Sequence, residues 1–191
     1  ALRGTASLAM DLIRNPEWVK AMLTTIQADY RALYMLFYDR LVSAGQPSTT
    51  WVPLLGTGKF YMVSNDFSIM VSSAMYRDYF LEGAAAECQF LDQSFYHLDG
   101  PGALRHLDMI LELQKLNGVQ FVPTPGQDSF AHWRSVYQKI QKAQKCVQVT
   151  CVLAEIEDIL DSMQPEGLYL VVQDVSSAEE GSALIRRLER W

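Results

Sequence analysis

From residue 59 onward the sequence alternates between short apolar runs and longer stretches with helical spacing, and this alternation restricts the chain to a parallel α/β fold. A run at 59–64 leads to a helical stretch at 73–91, one at 94–98 to 102–113, and one at 119–123 to 129–144. Runs at 147–152 and 168–172 lead in the same way to 154–163 and 177–191, which makes five βα units in succession. Parallel neighbours require a crossover between them, usually a helix. Runs such as VQVTCV and LYLVV are apolar almost throughout, as strands of a covered parallel sheet are, and show little in/out alternation.

Repeated βα units close either into a doubly wound open sheet or into a (βα)8 barrel. Open-sheet nucleotide binders carry a G-x-G-x-x-G turn after the first strand, and this sequence has none. Gly56-Thr57-Gly58 precedes a strand and lacks the phosphate-loop spacing, so it reads as a tight turn. Polar, glycine-rich sequence instead follows successive strands: Ser64-Asn65-Asp66, Asp99-Gly100-Pro101-Gly102 and Thr124-Pro125-Gly126-Gln127. Barrel enzymes build their sites from such strand ends. The expectation is therefore an α/β, TIM-type (βα)8 barrel to which this chain supplies about five βα units. Residues 1–191 are expected to form one domain, with 1–48 a leading helical segment and 49–191 the βα units. A closed barrel takes about 200–250 residues. The chain thus reads as the carboxyl-terminal part of a longer barrel, completed by its missing half or by another copy in a homo-oligomer.

The leading segment has its own signals. Asn15, Pro16 and Gly45 bracket a helix over 16–43, and Trp18, Met22, Ile26, Tyr30, Leu33, Phe37 and Leu41 form a stripe expected to face the core. Residues 51–55 look extended. Near the other terminus, Ser176 or Ser177 caps a helix with Glu179 and Glu180 in its first turn and Arg186, Arg187 and Arg190 at its end.

Charge and cysteine usage narrow the partners. Sixteen Lys and Arg against 22 Asp and Glu give a net charge of −6, which disfavours nucleic acid or an anionic membrane surface as the partner. No apolar run reaches the roughly 18–20 residues of a membrane span, and the first residues lack a secretory signal pattern, so a cytoplasmic location is expected. Cys88, Cys146 and Cys151 form no even disulfide framework and no C-x-x-C pair. They read as reduced thiols, with Cys146 and Cys151 on opposite faces of their strand.

The segment YHLDGPGALRHLD (96–108), followed by GVQFVP (118–123), resembles the uroporphyrinogen decarboxylase and corrinoid methyltransferase superfamily. VSNDFS (63–68) with SSAMYRDYFL (72–81) is similar to that family's Asp-bearing strand end and next helix, and PEGL (165–168) with SSAEE (176–180) is similar to its last βα unit. The resemblance spans roughly residues 16–191 and implies a (βα)8 barrel with a pocket at the strand ends. In the methyltransferase branch, an H-x-C pair and a later Cys bind zinc, which activates a thiol for attack on a methyl group. The decarboxylase branch uses no metal or organic cofactor and steadies a polycarboxylated tetrapyrrole with an aspartate.

His97 occupies the first zinc-ligand position, but Asp99 stands where the family has Cys, and neither Cys146 nor Cys151 falls clearly at the later position. On a strand His97 and Asp99 share a face, so an imidazole and a carboxylate converging on zinc or another divalent metal is geometrically reasonable. The candidate catalytic residues are Asp66, His97 and Asp99, with His97 and Asp99 also the metal ligands; Tyr61, Phe67 and Gln127 are candidate substrate contacts. Competing roles are a structural hydrogen bond for His97, a helix cap for Asp99, an Asx turn for Asp66, a turn-stabilising role for Gln127 and core packing for Trp51, Tyr61 and Phe121. His106 and His132 read as structural, His106 on the barrel's outside. No G-x-S-x-G elbow marks a serine hydrolase. The expected function is one-carbon transfer involving a corrinoid on a partner protein or a methylated small molecule. The alternatives are cofactor-free decarboxylation of a porphyrinogen carboxylate and a non-catalytic barrel fragment.

Overall fold

The computed structural model describes residues 3–191; the first two residues of the leading segment lie outside them. Helices α1 (Thr5–Arg14) and α2 (Pro16–Ser43) come first, then a short antiparallel pair, β1 (Ser48–Thr49) and β2 (Leu55–Gly56). The main sheet has five parallel strands: β3 (Phe60–Ser64), β4 (Gln93–Asp99), β5 (Gly118–Val122), β6 (Cys146–Cys151) and β7 (Leu168–Val172). Between them run α3 (Ser73–Tyr76), continuing through a π-helical stretch (Arg77–Leu81) into α4 (Glu82–Phe90), then α5 (Leu107–Leu111), α6 (Phe130–Lys142) and α7 (Ile156–Ser162). Helix α8 (Ala178–Leu188) follows β7. The fold is α/β, with a parallel sheet and each expected βα unit in place.

The strands lie side by side in chain order, with no reversal. The connecting helices pack on one face. There Val63, Leu98, Val119, Val147 and Val149 meet Cys88 of α4, Ile110 of α5, Ile140 of α6 and Ile159 of α7. Burial of this apolar surface is the main term holding sheet and helices together. Two polar groups inside this core are paired: the Tyr76 and Tyr96 hydroxyls lie 2.7 Å apart, tying α3 to β4. His106 lies in this helix-covered layer with structural contacts, as expected: it is fully buried, its Nε2 donates to the Ser68 carbonyl at 3.0 Å and its ring stacks on Tyr76.

The opposite face is lined by Phe60, Met62 and Phe95, with Val52 packed on them. Gly118 is needed here, because a Cβ on it would stand 2.5 Å from Cζ of Phe95 and 2.8 Å from the Cys146 carbonyl oxygen. The aromatic ring therefore crosses the start of β5.

Several local expectations are corrected. Residues 51–55 are not a strand; only Leu55 joins one, and Trp51 to Pro53 form a bend. The stretch 102–113 is a 3-10 turn (Pro101–His106) followed by the short α5, and α7 likewise starts with a 3-10 turn. Helix α1 was not anticipated. Asn15 precedes α2 as expected but makes no capping bond, donating to Asp11 at 2.9 Å instead. Most of the stripe on α2 faces outward, with Ile26, Leu33 and Phe37 47%, 57% and 62% exposed, while Tyr30 packs inward against Tyr34 and Phe90. Val19, Leu23 and Tyr34 pack inward in its place, because apolar residues surround this helix and tertiary contact chooses a neighbouring line. At α8, Ser177 accepts from the Glu180 N–H as a capping serine should.

Candidate functional site at the strand ends

Leu98 of β4 points into the helix-covered core, so its neighbours His97 and Asp99 point to the opposite face. Ser64, the last residue of β3, pairs in register with His97. Beyond Ser64 the chain turns through Asn65 into a 3-10 helix (Asp66–Met70), which brings Asp66 back over the sheet end. One donor atom each from Asp66, His97 and Asp99 then lie within 4.8 Å of one another, the aspartates exposed and the histidine half-buried. Nucleation of this cluster depends on the turn after β4, where Gly100 adopts φ +77°.

The helix-cap roles open to the two aspartates are not filled, whereas the structural hydrogen bond open to His97 is present, to Gln120. The 3-10 helix after β4 has Gly100 at its start and no side-chain cap, so Asp99 caps nothing. The helix opening at Asp66 likewise has no side-chain capping bond. Neither carboxylate is spent on a helix end.

His97 is held from two directions. Its Nδ1 lies 2.7 Å from Oε1 of Gln120, the residue paired with it on β5, and Trp51 stands edge-on at 5.6 Å between ring centroids. With the amide oxygen as acceptor, Nδ1 carries the proton and Nε2 keeps its lone pair, the arrangement in which a metal-ligating histidine is oriented by a second residue.

Gln120 continues a row that composition alone did not single out. It pairs with Gln148 on β6, which pairs with Tyr169 on β7. Gln120 and Gln148 are only 8% and 7% exposed, and Oε1 of Gln148 is buried with no hydrogen-bond partner. A sequence signal for them exists: Val-Gln-Phe at 119–121 and Val-Gln-Val at 147–149 each place one amide in the middle of an apolar strand.

The remaining candidates lie apart from the cluster. Phe67 packs against Phe80 and lines a cavity of about 610 Å³ between α2 and α4, together with Gln27, Tyr76, Glu87 and Tyr96. Asp66, His97 and Asp99 do not line that cavity. Tyr61 stands edge-on to Tyr34 and to Trp51, which separates it from His97. Gln127 is exposed in the loop after β5, where its carbonyl accepts from Trp133 Nε1 at 2.5 Å. Phe121 packs among Trp133 and Tyr137 in the core, and His132 is exposed beside Trp133. Cys151 lies in the covered core, where burial pushes its thiol up to about 12, and among the described residues no cysteine joins the three-residue cluster.

In comparisons with known proteins, no family model, no curated sequence and no solved structure matches this chain. No helix among the described residues is long and apolar enough to cross a membrane.

Proposed function

We propose that the chain is the carboxyl-terminal part of a (βα)8-barrel enzyme that holds a divalent cation at Asp66, His97 and Asp99 and acts on a small polar molecule. The observation that carries this reading is the convergence of those three donor groups within 4.8 Å at the strand ends. The residues fit a cation: two carboxylates free of helix caps and an imidazole whose Nδ1 is occupied by Gln120. Three protein donors leave coordination positions for substrate or water, as catalytic metal sites do. An oxygen-rich set is harder than the thiolate pattern of the methyltransferases, and it suits zinc, manganese or iron in the divalent state. When bound, such a cation supplies Lewis acidity to a substrate oxygen. The chain's own contribution is to fix the ligands: Gln120 sets the histidine tautomer, Trp51 shields one side of its ring, and the Gly100 turn aims Asp99.

The barrel reading is supported by strand order. Consecutive strands with every connecting helix on one face follow the winding of a barrel, whereas a doubly wound sheet reverses direction at a switch point. The two end strands and the face without helices are where a missing half or a second copy closes the barrel. The resemblance to the uroporphyrinogen decarboxylase and corrinoid methyltransferase superfamily supports methyl transfer as the reaction, with a methylated small molecule or a corrinoid on a partner protein as donor and porphyrinogen decarboxylation as the alternative.

Metal analysis tests the reading. Purified protein equilibrated with zinc or manganese and desalted is expected to retain about one ion per chain. His97→Ala and the paired Asp66→Asn/Asp99→Asn variant are expected to retain at least tenfold less, with circular dichroism unchanged. Equal content in wild type and variants rules the cation site out and favours the metal-free decarboxylase alternative.

A further inference from the structure

The row on the helix-free face extends well past the cation cluster, and one of its members is chemically incomplete. A buried amide oxygen without a partner destabilises a fold, so its retention calls for a compensating role. Gln148 is such a residue. It lies in register with Gln120 on one side and Tyr169 on the other, on the same face as His97. Gln120 commits its Oε1 to His97, which leaves its amide N–H groups to donate.

We propose that Gln120, Gln148 and Tyr169 form the substrate-recognition strip of the site, and that the group they read is an uncharged carboxamide. The inference rests on the cation reading for where the reacting end of the substrate sits. Neighbouring strands are about 4.8 Å apart, so the Gln120 donor and the orphan Gln148 acceptor are adjacent. A carboxamide carries one donor and one acceptor side by side and satisfies both. The match belongs to the orientation in which Oε1 of Gln148 is the buried acceptor; turned over, Gln148 and Gln120 would both donate and a carboxylate would fit instead. A carboxylate has no donor for the Gln148 oxygen, and an ammonium has no acceptor for the Gln120 N–H. Charge points the same way: none of the strand residues on this face is Lys or Arg, so a carboxylate on the strip would lie near Asp66 and Asp99 without compensation. Tyr169 stays protonated, since burial raises its hydroxyl above the usual range, and it offers a further neutral donor.

The test uses glutaramide and glutarate as probes, with affinity read by ligand-observed NMR on the full chain with and without zinc. Wild type is expected to bind the diamide at least tenfold more tightly than the diacid. Gln148→Leu, which keeps the volume and removes the orphan, is expected to weaken diamide binding at least tenfold, leave the ion content unchanged and raise the melting temperature by about 2–4 °C. Gln148→Met is the second variant and is expected to behave alike. Equal affinity for the two probes, full affinity in both variants, or a lower melting temperature in both overturns the proposal. Diamide binding through Gln148 in a protein that retains no ion leaves this inference standing and removes the cation site; ion retention without probe discrimination does the reverse.

Discussion

The two faces of the central sheet are made by the same strands and do opposite things. On the helix-covered face the residues are mostly apolar; the Tyr76 and Tyr96 hydroxyls and His106 Nε2 have partners, while His106 Nδ1 is buried without one. On the other face a polar row runs from Ser64 through His97 and Gln120 to Gln148, and it ends in an amide oxygen with none. One residue of offset along a strand separates the two regimes, since successive side chains point to opposite faces. The lesson is that buried apolar residues and the polar residues of the candidate site alternate along the same strands, so each set can be altered with its neighbour left in place.

The sharpest way to break that contrast is to truncate adjacent residues of β4. Leu98→Ala, at a site 1% exposed, is expected to cost about 2–5 kcal/mol in urea denaturation. His97→Ala beside it is expected to cost less than about 1 kcal/mol while losing the bound ion. Equal destabilisation would mean that His97 is packed into the Phe60, Met62 and Phe95 cluster as tightly as Leu98 is into the main core.

The covered side also contains an acid whose titration reports how dry it is. Burial alone pushes Glu87 up from 4.5 to about 7. Between those values the folded state holds a proton that the unfolded chain has released, so stability falls as pH rises from about 4.5 to about 7 and is flat above. Glu87→Gln is expected to remove that slope, a difference of the order of 2 kcal/mol between wild type and variant across the interval, followed by thermal melts at several pH values. A slope identical in the two proteins would show the cavity to be wet.

Smaller effects sharpen the comparison further. Tyr96→Phe strands the Tyr76 hydroxyl in the core and is expected to cost about 1–2 kcal/mol by chemical denaturation. Thr150→Val, a half-exposed position on β6 on the helix-free face, is expected to change stability by no more than about 0.5 kcal/mol. A larger loss there would extend to β6 the packing that Phe60, Met62, Phe95 and Val52 provide on this face.

The parallel sheet was legible because continuous apolar runs such as VQVTCV have no other common use, and His97 with Asp99 was legible because strand alternation puts them on one side. The approach of Asp66 was legible only as a residue after a strand; its position relative to His97 is set by the 3-10 turn that follows, which no periodicity encodes. Helix α2 was misread because its apolar residues encircle it, so spacing offered several stripes and packing selected the line through Val19. Gln148 passed unnoticed because a single amide in an apolar strand has the same local pattern whether or not its hydrogen bonds are met. Tyr61 packs on Tyr34 and Trp51, Phe67 lines the cavity between α2 and α4, and Gln127 is exposed after β5; tertiary packing sets these places, and no local pattern encodes it.

Consecutive strand order has a further consequence, for the way the chain is made. Phe60 pairs with Gln93 and Val147 with Leu168, so every strand docks against the one synthesised just before it. A strand leaving the ribosome therefore finds its template already in place, and the sheet can grow during translation without waiting for any distant segment.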